Sequence, residues 1–166
     1  MAWITRQRHL KGCGELAPAR ITELDALGMI WSKNAGAWER GHAYARAWAA
    51  HTGHLAISAK ETLDGYAIGS WMRRQRNAAG LADHQRQALD ALDPLWQIEP
   101  DWNRSYRRLT AYLAEGGSLT GPANRTGHAS DPHFRPGSWL RKQMRHASAR
   151  KLNPQQITLL NALTTR

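Results

Sequence analysis

Apolar residues fall into helical stripes along the chain, and no segment alternates with period two over enough residues to predict a sheet. Counting from Leu16, Leu81 and Leu152, apolar residues recur at plus eight and plus eleven: Leu24 and Leu27, Leu89 and Leu92, Leu160 and Leu163. These spacings describe one stripe of a helix. At plus fifteen stand Trp31 and Trp96, and a third would fall at position 167, just past the last residue. The helix starts are legible as well: Asn153 caps, Pro154 suits the first helical position, and Gln156 reaches back as in a capping box. Pro18 and Asp83 stand at the place of Pro154, and Gly28 follows Leu27 as a stop. A second stripe matches Trp38, His42, Ala45, Trp48 and Ala49 with Trp102, Tyr106, Leu109, Tyr112 and Leu113; both segments run into glycine, at Gly53 and Gly116.

Between these stripes lies a pattern that occurs three times. Trp71-Met72-Arg73-Arg74-Gln75-Arg76 has a counterpart 68 residues earlier, from Trp3 to Arg8, and another 68 residues later, from Trp139 to Arg145. A fixed period marks repeated structural units. Each unit reads as a helix, a glycine-containing loop, a helix begun by Trp, a short turn and a third helix. The predicted fold is all-α, built from tandem three-helix units with short connections. Residues 1–31 hold only the last two helices of a unit, 32–96 a complete unit, and 97–166 a second, diverged one. The partial unit implies either a fragment of a longer array or a half-unit that borrows packing from a neighbour.

Charge changes the picture from architecture to partner. The 166-residue chain has net charge +10 and pI near 10.6, which points to a polyanion, nucleic acid first. Residues 102–166 carry 11 Lys/Arg against Glu115 and Asp131 alone, a net of +9, while residues 1–101 are nearly neutral. The single Cys13 excludes a disulfide framework and a cysteine-based zinc finger. No apolar run approaches the ~20 residues that span a bilayer, and the first residues lack a signal-peptide core. A soluble, cytoplasmic protein is expected.

On the second helix, offsets zero, one, four and eight from the Trp form one side: Trp71, Met72, Gln75 and Ala79, or Trp139, Leu140, Gln143 and Ala147. The opposite side holds Arg73, Arg74, Arg76 and Asn77 in one unit, Arg141, Lys142, Met144 and Arg145 in the next, and Thr5, Arg6, Arg8 and His9 in the first. A row of cations on a rigid helix pairs with phosphates while Trp anchors the other side. The expected contact residues are Arg6, Arg8, Arg73, Arg74, Arg76, Arg141, Lys142 and Arg145; the bland alternative is a solvated basic face. Gln7, Gln75 and Gln143 read as satisfying backbone groups rather than as adenine contacts. The tryptophans read as core, with Trp38 and Trp102 the candidates for stacking on a base. His128, Asp131 and His133 are spaced for a metal but lack a fourth ligand, so no metal is expected. His51 and His54 read as local hydrogen-bonding groups. There is no phosphate-cradling Gly-Lys-Ser/Thr loop and no serine elbow, and lone Cys13 lies between two glycines without a clear base partner in the sequence, so neither catalytic residues nor a cofactor are expected.

Taken together, His51-Thr52-Gly53-His54-Leu55, Asp64-Gly65-Tyr66-Ala67-Ile68-Gly69-Ser70-Trp71 and Gln75-Arg76 resemble the helicase-associated domain, a three-helix repeat found in tandem in bacterial helicase-like proteins. In residues 1–31 the resemblance rests on Trp3, Gln7-Arg8, Gly14-Glu15-Leu16, Arg20, Leu24 and Leu27-Gly28-Met29-Ile30-Trp31. Three departures stand out: Asp93-Pro94-Leu95-Trp96 in place of a glycine-led ending, Met144 where Arg is usual, and a longer loop at 118–136. The resemblance implies a nucleic-acid-binding accessory module with a helicase core elsewhere, in cis or in trans, and no catalysis of its own. The expected partner is DNA rather than RNA, held by its backbone with weak sequence discrimination; about five neutralised phosphates would give a log–log salt slope of roughly −4.5. The competing readings are a helical protein-interaction scaffold and a Myb-like repeat that reads DNA with its third helix. The latter is disfavoured because Gln85, Arg86 and Gln87 are the only polar cluster opening the third helix of residues 32–96, and its counterparts in the other units are scarcely basic.

Overall fold

A computed structural model of the chain describes residues 2–29, 31, 33–120 and 131–164. Regular structure among them is entirely helical: α1 (Ala2–Gly12), α2 (Pro18–Ala26), α3 (Lys33–Thr52), α4 (Ile68–Asn77), α5 (Asp83–Leu92), α6 (Pro100–Ala114), α7 (Pro136–Ser148) and α8 (Pro154–Thr164). One isolated bridge joins Leu63 and Tyr66. No described helix is long and apolar enough to cross a membrane.

The ends of the helices follow local chemistry. Asn153 Oδ1 accepts from the Gln156 amide at 2.8 Å while Gln156 Oε1 accepts from the Asn153 amide at 3.0 Å, a reciprocal box at the start of α8. Gln85 makes only the second of these bonds, to the Ala82 amide, because alanine has no oxygen to return the first. Gly28, at φ +73°, closes α2: its amide reaches Asp25 O and that of Met29 reaches Leu24 O. Trp71 and Trp139, by contrast, do not begin their helices. α4 starts at Ile68 and α7 at Pro136, so each Trp lies three residues inside. The extra turn lets Gly69 press against the preceding loop, where a Cβ would come within 1.9 Å of the Ser58 carbonyl oxygen.

The stripes become cores. In one unit Trp38, Ala45, Trp71, Met72, Leu89 and Trp96 are buried together, with Leu92 packed against them. In the next, Trp102, Tyr106 and Leu160 form one cluster and Leu109, Tyr112 and Phe134 another, bridged by half-buried Trp139 and Leu140. The plus-eight leucines Leu24, Leu89 and Leu160 are all buried. Leu27 departs from the stripe and is 81% exposed, because residues 1–31 supply no counterpart of α3 or α6 to cover it. Trp31 and Trp96 share a contact that repeats in register, each indole N–H donating to the carboxylate six residues earlier, Asp25 or Asp90.

The two complete units meet at the loop His54-Leu55-Ala56-Ile57. A buried loop leaves backbone groups that need partners, and here side chains from both units supply them. Asp93, 1% exposed, accepts from the amides of Leu55 (2.7 Å) and Leu95 (2.9 Å) and pairs with Arg107 at 2.5 Å. Arg104 of α6 donates to Ala56 O at 2.8 Å. Arg76 donates through Nε to Trp96 O and through Nη2 to Leu55 O, both at 2.8 Å, with a longer bond to Ile57 O. Burial draws its pKa below the usual guanidinium value, opposed by Glu99 and Asp93. The departure Asp93-Pro94-Leu95-Trp96 is thus the joint between units.

His54 belongs to the same joint, its Nδ1 accepting from the Ala56 amide at 3.2 Å. Desolvation, then the charge of Arg107, holds its pKa below the ordinary imidazole value. Above that ordinary value of ~6.5 the imidazole is neutral folded or unfolded; below it the unfolded chain takes up a proton that the fold resists. Stability should therefore fall as pH drops from ~6.5 through the depressed folded value. The loss should be smaller in His54→Gln, measured by denaturant melts of both proteins at neutral and mildly acidic pH; equal slopes would contradict it.

Candidate nucleic-acid interface

α4 and α7 have the same two-sidedness for the same reason. Trp71 is buried against α3 where Gly41 leaves room, since a Cβ on Gly41 would lie 2.0 Å from the indole. Trp139 lies against Trp102, ring centroids 5.5 Å apart. With that side fixed inward, Arg73 and Arg74 of α4 and Arg141, Lys142 and Arg145 of α7 are exposed. Arg141 makes a 3.2 Å bond to Ser138 Oγ, and among the described residues none of these five is ion-paired. On α1, Arg6 is exposed and Arg8 half-buried.

Arg76 leaves the row. The sequence places it outward beside Arg73 and Arg74, but its donors are occupied by three carbonyls of the joint. It stands at the end of α4, where the loop and the Trp96 turn converge, so a long side chain reaches buried acceptors. Met144, at the corresponding position of α7, is 42% exposed.

The glutamines and tryptophans are structural, though not all in the expected way. Gln143, buried, accepts from the Trp102 indole N–H at 3.0 Å, a side-chain partner rather than loop backbone. Gln75 makes only a long 3.5 Å contact to Trp71 O, and the indole N–H of Trp38, equivalent to that of Trp102, is buried without a partner among the described residues. Trp38 and Trp102 are not stacking platforms: they are buried, stacked on His42 and Tyr106 at 4.8 and 5.2 Å. Trp3, by contrast, is 50% exposed.

Of the histidine–aspartate group, His128 and the loop stretch 121–130 lie outside the described residues. Asp131 accepts two bonds from Arg108, at 2.5 and 2.7 Å, which hold its carboxyl below the usual carboxylate range.

Two surface depressions occupy the same place in the two complete units. One, about 330 Å³, is lined by Trp38, Trp71, Arg74, Gln75, Leu81 and Gln85. The other, about 430 Å³, is lined by their counterparts Trp102, Trp139, Lys142, Gln143, Leu152 and Gln156, with Glu99, Asp101, Ser105, His146 and Lys151 added. The other flank of each basic helix has its own hollow, one containing Arg73 and Lys60, the other Arg141 and Arg145. The cation row is therefore split: Arg74 and Lys142 face one side, Arg73 and Arg141 the other. Lys60 and Lys151 were missed in the sequence because both stand outside the repeated helix.

The structure defines a class: tandem three-helix units, each presenting exposed cations on its second helix. The family model described as helicase associated domain matches residues 35–97 and again 99–166, and the chain belongs to that family. No curated protein and no solved structure matches it.

Proposed function

We propose that the chain is a non-catalytic, cytoplasmic module that binds nucleic acid, DNA in preference to RNA, through the phosphate backbone, as an accessory to a helicase core in cis or in trans. Residues 1–31 act as a partial repeat beside the complete unit 32–96 and the diverged, basic unit 97–166. The observation that carries this reading is the exposed set Arg73, Arg74, Arg141, Lys142 and Arg145, free of ion pairs among the described residues, on two helices whose other sides are locked into cores. Arg6 joins it on α1, and Arg76 does not. Changing Arg141, Lys142 and Arg145 together to alanine should weaken DNA binding and flatten the log–log salt slope by about 2.7, with helicity by circular dichroism unchanged. Undiminished affinity would remove α7 from the interface.

One observation favours the scaffold reading instead: Trp3 and Ile4 of α1 are 50% and 42% exposed. Salt-insensitive capture of a protein partner, with no binding of DNA or RNA probes, would establish that reading in place of the first.

A further inference from the structure

Within the thrice-repeated stretch, the third residue after the tryptophan is the one position occupied by a cation in every copy: Arg6, Arg74 and Lys142. The neighbouring positions vary: Thr5, Arg73, Arg141; Arg8, Arg76, Met144; His9, Asn77, Arg145. In both complete units the invariant cation stands at the depression between the second and third helices, beside matched aromatic, glutamine and leucine positions. Hollows of ~300 Å³ or more are of ligand-binding size. A wall of apolar and amide groups with one cation suits a sugar and base with their phosphate. In 32–96 the wall also contains Trp38, whose buried indole N–H has no acceptor among the described residues, where Trp102 has Gln143. The depression at Lys142 is bordered by Glu99 and Asp101, but Glu99 accepts from the Trp102 amide and Asp101 pairs with Arg104, and Lys151 adds a second cation.

We propose that each complete unit seats one nucleotide of a single strand in this depression, its phosphate on Arg74 in one unit and on Lys142 in the next. The idea rests on the nucleic-acid reading above and sharpens it: of the exposed row, these two cations set the register, and Arg73 and Arg141 add only general attraction. A repeating polymer is then read by a repeating fold, as when helical repeats take one base each.

The test removes equal charge from the two flanks. Arg74→Ala with Lys142→Ala is compared with Arg73→Ala with Arg141→Ala; all four residues are exposed, so both proteins should fold. Fluorescence anisotropy with a labelled single-stranded oligonucleotide should show a loss of roughly tenfold or more for the first pair, and a salt slope flatter by about 1.4 at ~0.7 per phosphate on a single strand. The second pair should lose less than about half as much on the logarithmic scale, and in the wild type the Trp38 indole N–H resonance should move on titration with the same oligonucleotide. Equal losses for the two pairs, or an unmoved Trp38 resonance at saturation, would overturn the proposal. Binding of duplex with none of the single strand would overturn it and leave the phosphate reading standing; binding of neither would sink both.

Discussion

Asp93→Ala protein should melt well below the wild type while keeping the same m-value. The carboxylate is buried, accepts from the amides of Leu55 and Leu95, and neutralises Arg107. Breaking a buried pair by removing one partner costs about 3–5 kcal/mol. The lower end applies here, because Arg107 retains its bond to Asn103 and is 32% exposed. At roughly 2–4 °C per kcal/mol for a chain of this size, a loss of ~3 kcal/mol lowers the midpoint by roughly 6–12 °C. A change under about 1 kcal/mol, read from urea midpoints, would mean that the carboxylate does not hold the joint.

Arg76→Ala should separate two roles that the sequence runs together. The carbonyls of Trp96, Leu55 and Ile57, all in residues no more than 1% exposed, lose their donor, at a cost of about 2 kcal/mol. DNA affinity and the salt slope, measured well below the melting temperature, should stay at wild-type values. Arg74→Ala should do the opposite: stability within about 0.5 kcal/mol of wild type and, on a single strand, a slope flatter by about 0.7. Weakened binding without destabilisation in Arg76→Ala would return that residue to the interface.

The fold was legible because its signals are local and repeated. Spacings of three, four and eight mark the helices, and Asn153-Pro154-Gln155-Gln156 announces where α8 starts. What remained hidden was set by contacts distant in sequence. On a helical wheel Arg76 points away from Trp71, yet an arginine stem near a helix end reaches acceptors that the wheel does not show, here the Leu55 carbonyl 21 residues away. Asp93 looked like a broken family ending because its partners, Leu55 and Arg107, lie 38 residues before and 14 after it. The constancy of the cation three residues after the tryptophan was present in the sequence alone. Grouped by helix side, it falls among outward residues that change from copy to copy.

The Ala56 carbonyl gives this joint a practical consequence. Its donor, Arg104, is on the opening turns of α6, a helix that by repeat counting belongs to the following module. Cutting the chain at residue 96 to excise the central copy would discard that donor together with Arg107, orphaning groups inside the piece retained. Anyone transplanting this repeat into another scaffold should carry the stretch through Arg107 with it.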